Sequence, residues 1–158
     1  MELASSSDAT ITLKVDRFIS VRQGTMWTSG TSPEVTATLT ANPSGRASQS
    51  SNHSFEVTGS TPGGSPLDLR IEVLPFAQYE AVGLIVTDPS GTVAGSAHWD
   101  NCKVGDGANA NAVTVRDWCR KGAATPPDPY RLYMLIKTKV PEGQLGDYGL
   151  IDPLITNF

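Results

Sequence analysis

The run Val35-Thr36-Ala37-Thr38-Leu39-Thr40-Ala41 sets aliphatic residues to one side and threonines to the other with a period of two. Only an extended strand sorts such residues onto separate faces. The same alternation returns at Ile11-Thr12-Leu13-Lys14-Val15-Asp16 and at Leu67-Asp68-Leu69-Arg70-Ile71-Glu72-Val73, each copy bounded by Gly, Pro, Ser or Asn. The pattern predicts an all-β chain.

Punctuation between these runs divides the rest of the sequence. Residues 1–9 read as a flexible polar leader and 10–158 as one domain. Thr10 to Ile19 is a strand whose alternation breaks at Asp16-Arg17-Phe18-Ile19, where a β-bulge would restore the register. Asn42 to Asn52 is Ser-rich without periodicity, which predicts a mobile surface loop, and Gly59 to Pro66 reads as a second flexible connection. Tyr79 to Val86 is apolar nearly throughout, as expected of a central strand covered on both faces. Asp88-Pro89-Ser90-Gly91 has the residue order of a type I turn and predicts a hairpin with Thr92 to Ala97. Asn101 to Asn111 is a loop, Ala112 to Val115 a short strand, and Val115 to Lys121 one helical turn. Tyr130 to Lys139 is a long strand, and Tyr148 to Ile151 with Leu154 to Thr156 forms a last one interrupted at Pro153, which has no N–H for a ladder. About eight strands at this spacing predict an antiparallel β-sandwich, with a jelly roll favoured over an immunoglobulin-like arrangement.

The 158 residues can bury one sizeable core. Hydrophobic content of 39% and charged content of 18% are low, and Ser, Thr, Gly, Pro and Asn take up the difference. The net charge of −4 comes without a basic run, so the Lys/Arg cluster that releases counterions from phosphates is missing and no nucleic acid partner is expected. No run approaches the roughly 20 apolar residues of a membrane span. The first residues lack the cationic and apolar regions of a signal peptide. The chain reads as soluble, with a virion or extracellular setting favoured. Cys102 and Cys119 are close enough in sequence for a disulfide to be considered, with two buried free thiols as the alternative.

The stretch His98-Trp99-Asp100-Asn101-Cys102-Lys103-Val104-Gly105-Asp106 holds the densest collection of reactive side chains. A Cys nucleophile needs a base within hydrogen-bonding reach, but residues four apart on a strand are separated by roughly 13 Å. The plainer expectation is a strand end with Trp99 in the core. Asp100, Asp106, Asn109 and Asn111 offer hard oxygens for calcium, yet EF-hand spacing fails because Cys102, Val104, Ala108 and Ala110 occupy the third and fifth positions. Zinc lacks any short Cys pair, and glycine-rich phosphate loops lack both their Lys and a following helix. No catalytic residue, metal or cofactor is therefore expected. Asp16, Glu56, Asp68 and Glu72 are expected on solvated strand faces. Asn52-His53-Ser54 has the form of an N-glycosylation triplet, and Trp27, Trp99, Trp118 and Tyr148 are aromatics able to stack on a sugar face.

Two functional expectations follow. A low-charge sandwich with Ser/Thr-rich faces suits a non-enzymatic structural or assembly protein, such as a viral coat subunit or capsid surface domain, forming a homo-oligomer or larger assembly through subunit contacts. The alternative is a lectin-like, carbohydrate-binding sandwich with its site on the strand-end loops. The candidate binding residues are Trp27, Asn52, Trp99, Asp100, Asp106 and Asn109.

Overall fold

The computed structural model describes residues 7–18, 22–23, 26–27, 33–52, 54–57, 66–87, 99–117, 128–141, 146–151 and 154–157. These carry strands β1 (Ala9–Arg17), β2 (Arg22–Gln23), β3 (Met26–Trp27), β4 (Glu34–Ala41), β5 (Ala47–Ser51), β6 (Ser54–Val57) and β7 (Leu67–Leu74). They continue with β8 (Tyr79–Thr87), β9 (Trp99–Val104), a 3-10 turn at Gly107–Asn109, β10 (Ala112–Asp117), β11 (Asp128–Thr138), β12 (Tyr148–Ile151) and β13 (Leu154–Asn157). The chain is all-β, as its period-two runs predict.

One sheet has the order β4-β1-β7-β10-β9. In the other, β11 is flanked by β8 on one edge and by β12 and β13 in succession on the other, and β13 continues to β6 and β5. A small β2-β3 ribbon stands apart. The alternating positions of β1 and β7 point inward: Ile11, Leu13, Leu69, Ile71 and Val73 are almost fully buried. Leu132, Met134, Ile136 and Phe55 from the other sheet join them in a single hydrophobic cluster. Each such side chain contributes about 1.5–3 kcal/mol through removal from water, so this cluster fixes which face of every strand looks outward.

The expected bulge is present: Val15 faces Val35 and Arg17 faces Glu34, leaving Asp16 as the extra residue of β1. Strands also lie where expected at 67–74, 79–87, 130–138 and 148–151. Other features differ. The pairing is not wholly antiparallel, because β1 runs parallel to β7 and β6 parallel to β13. Such neighbours need long crossovers, and the long sequence separations between these strands supply them. Asn42 to Asn52 is not a free loop: Gly45 turns the chain at a φ of 70°, and β5 then pairs with β6. Residues 101–104 extend β9, and β10 runs through Asp117 where the start of a helical turn is expected. Side chains give no signal of that extension, since the ladder to β7 carries it. Ala9 is fully buried and Asp8 bonds to Asp68 in both directions, so the sheet begins inside the stretch expected as leader. The Asp88–Gly91 turn, the 92–97 strand and the Gly59–Ser65 connection lie outside the described residues.

β8 differs in a way that bears on function. Among the described residues it pairs with β11 alone, and Val82 and Ile85 are 38% and 53% exposed. Its unbroken apolar run therefore marks an apolar outer surface, not a strand covered on both sides.

Candidate functional site

Two outer sheet faces and two seams between sheets make up the surface that the described strands present. On the β4-β1-β7-β10-β9 sheet the outer face is polar and its groups bond one another. Thr36 donates to Asp16, and Thr12 Oγ1 donates to Glu72 Oε1 at 2.7 Å while lying 3.1 Å from Thr40 Oγ1. Arg116 Nε and Nη2 grip Asp68 at 2.8 and 3.3 Å. That hydrogen bond, with the nearby charges of Asp68, Asp100 and Asp8, raises the Arg116 pKa above its already high ordinary value. Asp16, Asp68 and Glu72 are thus placed on the outer strand face, as expected. Their hydrogen-bonding capacity is directed along the sheet.

The opposite outer face is apolar. Antiparallel register sets Gly83, Leu135 and Leu150 in one row across β8, β11 and β12, with Ile85 beside Tyr133 in the next. A row of Glu80, Lys137 and Tyr148 closes the patch, and Lys137 Nζ lies 2.7 Å from Glu80. Ile85, Leu150 and Tyr148 are 53%, 42% and 44% exposed. A Cβ added at Gly83 would meet no atom within 4 Å, so the middle of the patch is a shallow depression. The signal in sequence is the loss of alternation in Tyr79 to Val86 and in Leu132 to Ile136, where polar residues would otherwise mark the solvent side.

The seam between β4 and β5 is closed by side-chain amides. Asn52 accepts the Ala37 N–H at 2.9 Å and donates to the Val35 carbonyl at 3.1 Å. Gln49 accepts the Leu39 N–H at 3.1 Å and donates to the Ala37 carbonyl at 2.7 Å. Asn42 does the same for Ala47 at 3.3 and 2.6 Å. Edge strand β4 offers a row of unpaired backbone groups, and the Asn52 and Gln49 amides occupy them as another strand would, while Asn42 holds the first residue of β5. Asn52, expected in a binding site, is therefore a clasp between sheets.

Across the molecule, β8 and β9 flank a cleft of about 210 Å³ lined by Leu84, Ile85, Val86, Trp99, Asp100, Cys102 and Val115. Here the sequence-derived candidates Trp99 and Asp100 meet Cys102. Trp99 is buried as expected, edge-on to Tyr130 with ring centroids 5.5 Å apart. Asn101 has a φ of 52° within an irregular stretch of the β9–β10 ladder, a conformation that Asn tolerates better than most residues. Burial pushes the Cys102 thiol up, and a hydrogen bond with the Leu84 backbone partly opposes it. Cys102 is a free thiol but an exposed one, not the buried thiol of the alternative expectation, while Cys119, the other half of the expected bridge, lies outside the described residues, as do His53, His98 and Trp118.

Asp106 and Asn109 do not join this cleft. They bracket the 3-10 turn, where the Asn109 N–H donates to the Asp106 carbonyl at 2.8 Å. Gly105 is obligatory there, for a Cβ would stand 2.1 Å from the Asn109 carbonyl oxygen. Asn111, considered above as a calcium ligand, is buried and donates its amide to the Val73 carbonyl at 2.8 Å. Among the described residues no three His, Cys, Asp or Glu side chains converge as a metal site would require. Trp27 pairs with Arg22 through the backbone, and its side chain lies outside the described set. No helix among the described residues is long and apolar enough to cross a membrane.

Comparison with protein-family models, with curated proteins and with solved structures finds no match for this chain.

Proposed function

We propose that this protein is a non-enzymatic structural subunit that works by packing against other copies of itself, as a component of a coat or shell does. The observation that carries this reading is the outer face of β8, β11 and β12, where Ile85, Tyr133, Leu135 and Leu150 share one surface. A sheet face turned to water is ordinarily polar, and a contiguous apolar patch marks an interaction surface. The other outer face supports the reading by contrast: its threonines and charges are bonded to one another, leaving little to recruit a partner.

We read the two larger sheets as the layers of a β-sandwich. The jelly roll is an antiparallel architecture, and the parallel β1–β7 and β6–β13 pairs depart from it, so the sandwich is retained without that topology. Glycan binding is the competing reading. Of the four aromatics that suit it, Trp99 is buried and Tyr148 is the one whose described side chain is exposed.

Gly83→Glu separates the two readings, since its Cβ meets nothing within 4 Å and the fold should be indifferent to it. The proposal expects an unchanged circular dichroism spectrum with loss of self-association. A variant that still associates as the wild type does, or a wild type that binds a glycan array while remaining monomeric, would count against it.

A further inference from the structure

We infer that the hollow beside Tyr148, at the end of the β8-β11-β12 face, is a binding site for a sugar ring that carries a carboxylate. It holds about 420 Å³, within the range of small-molecule sites. Glu80, Lys137 and Tyr148 lie opposite one another across β8, β11 and β12 and so point to the same side of the sheet. Lys139 points that way too, two residues beyond Lys137, where its N–H continues the ladder by donating to the Gln78 carbonyl at 2.8 Å. Gly146 contributes no side chain, and a Cβ there would stand 2.9 Å from the Thr138 carbonyl oxygen, so the hollow stays open at that point. The two sides of the hollow differ in chemistry. Toward β8 sit two ammonium groups: Lys137 Nζ lies 2.7 Å from Glu80 Oε1, and Lys139 Nζ donates to the Phe76 carbonyl at 2.6 Å while lying 3.6 Å from the centroid of that ring. Toward β12 is the Tyr148 ring, 44% exposed. Each ammonium group has three hydrogens and uses one in the bond named, which leaves donors for an anion. Two cations against one carboxylate leave a positive charge unmatched among the lining groups, and Glu80 Oε2 is left to accept from a hydroxyl. The C–H face of a pyranose suits an exposed aromatic ring, and with neighbouring strands about 5 Å apart its carboxylate reaches the lysines. A neutral sugar leaves the positive charge unmet, and an aromatic acid leaves Glu80 unmet. Sugar binding here is additional to self-association and shares with it the row Glu80, Lys137 and Tyr148 at the margin of the apolar face.

The test is an NMR titration of the isotope-labelled full chain with methyl glucuronide, using methyl glucoside and benzoate as controls that lack the charge and the hydroxyls respectively. The expected result is a saturable shift of the Gly146 and Tyr148 amide signals, with each control binding about threefold to fivefold more weakly, the range open to a partly exposed charged contact. The preference over methyl glucoside should narrow at high salt. Lys137→Gln should narrow it too, and Tyr148→Ser should weaken both sugars. Light scattering on the same samples reads self-association separately. Binding present in Ile85→Ser but blocked in the wild type, as happens where a packed copy covers the margin, supports the site. Shifts linear to high millimolar ligand in both proteins, equal binding of the two sugars, or a preference unaltered in Lys137→Gln would overturn the inference, whatever the measured mass.

Discussion

The Asn52 amide spans two backbone positions of β4, taking the Ala37 N–H at 2.9 Å and giving its own hydrogen to the Val35 carbonyl at 3.1 Å. Gln49 occupies the next two positions along the same strand. One sheet is thereby fastened to the edge of the other by side chains that imitate a peptide group.

Asn52→Ala is therefore expected to destabilise the fold by about 1–3 kcal/mol, since two backbone groups lose their partner. A chain of this size should show a melting point lower by roughly 2–4 °C for each kcal/mol. Gln49→Ala should cost a similar amount, and the double variant should deviate from additivity because both amides act on Ala37. Thermal melts of the four proteins check this.

Backbone proximity gives a contrast among glycines. An added Cβ at Gly149 would stand 2.5 Å from Pro33 Cγ and 2.7 Å from Phe18 Cε2, whereas one at Gly83 meets nothing. Gly149→Ala is expected to cost about 1–3 kcal/mol through overpacking, and Gly83→Ala to leave the denaturation midpoint nearly unchanged. Urea titrations of both variants provide the comparison.

Of these features, the strand periods and the bulge at Asp16 are legible in sequence because alternation reports directly on which face is buried. The clasp is not. Gln49 and Asn52 lie in a stretch of polar residues whose partners on β4 are backbone groups, and backbone groups are the same in every residue. Trp99 and Asp100 are identifiable as residue types able to bind, but their meeting with Leu84 and Val86 depends on β8 and β9 coming together from different sheets. The apolar face is half visible: the run at 79–86 announces burial, and only the register of β8, β11 and β12 reveals that one side of it faces outward.

Cys102 is exposed, yet partial desolvation of its thiol raises the pKa above the ordinary value despite the Leu84 hydrogen bond, so near neutral pH it should alkylate more slowly than an unhindered cysteine. A raised folded-state pKa favours the protonated thiol in the native protein. The associated stability is fully present below the unfolded pKa of about 8.5 and is lost as pH rises through the higher folded value. Iodoacetamide rates across alkaline pH, set against a short Cys peptide, should show the protein's profile displaced upward. Coincident profiles would contradict the assignment.

The Arg116–Asp68 pair is half-exposed, with side-chain exposures of 33% and 37%. Asp68→Asn is expected to lower the denaturation midpoint only slightly, and less in high salt, because solvent screens such pairs. Denaturation at low and high ionic strength measures both parts of that expectation.

The central claim is that the face carrying Ile85, Leu135 and Leu150 is made to be covered by another copy. Light scattering on purified protein over a wide concentration range tests it most directly against the 16.7 kDa of a single chain. The account predicts a mass at a multiple of that value, falling to one chain when Ile85 and Leu150 are both replaced by lysine. A wild type that holds to a single chain's mass at every concentration would contradict it.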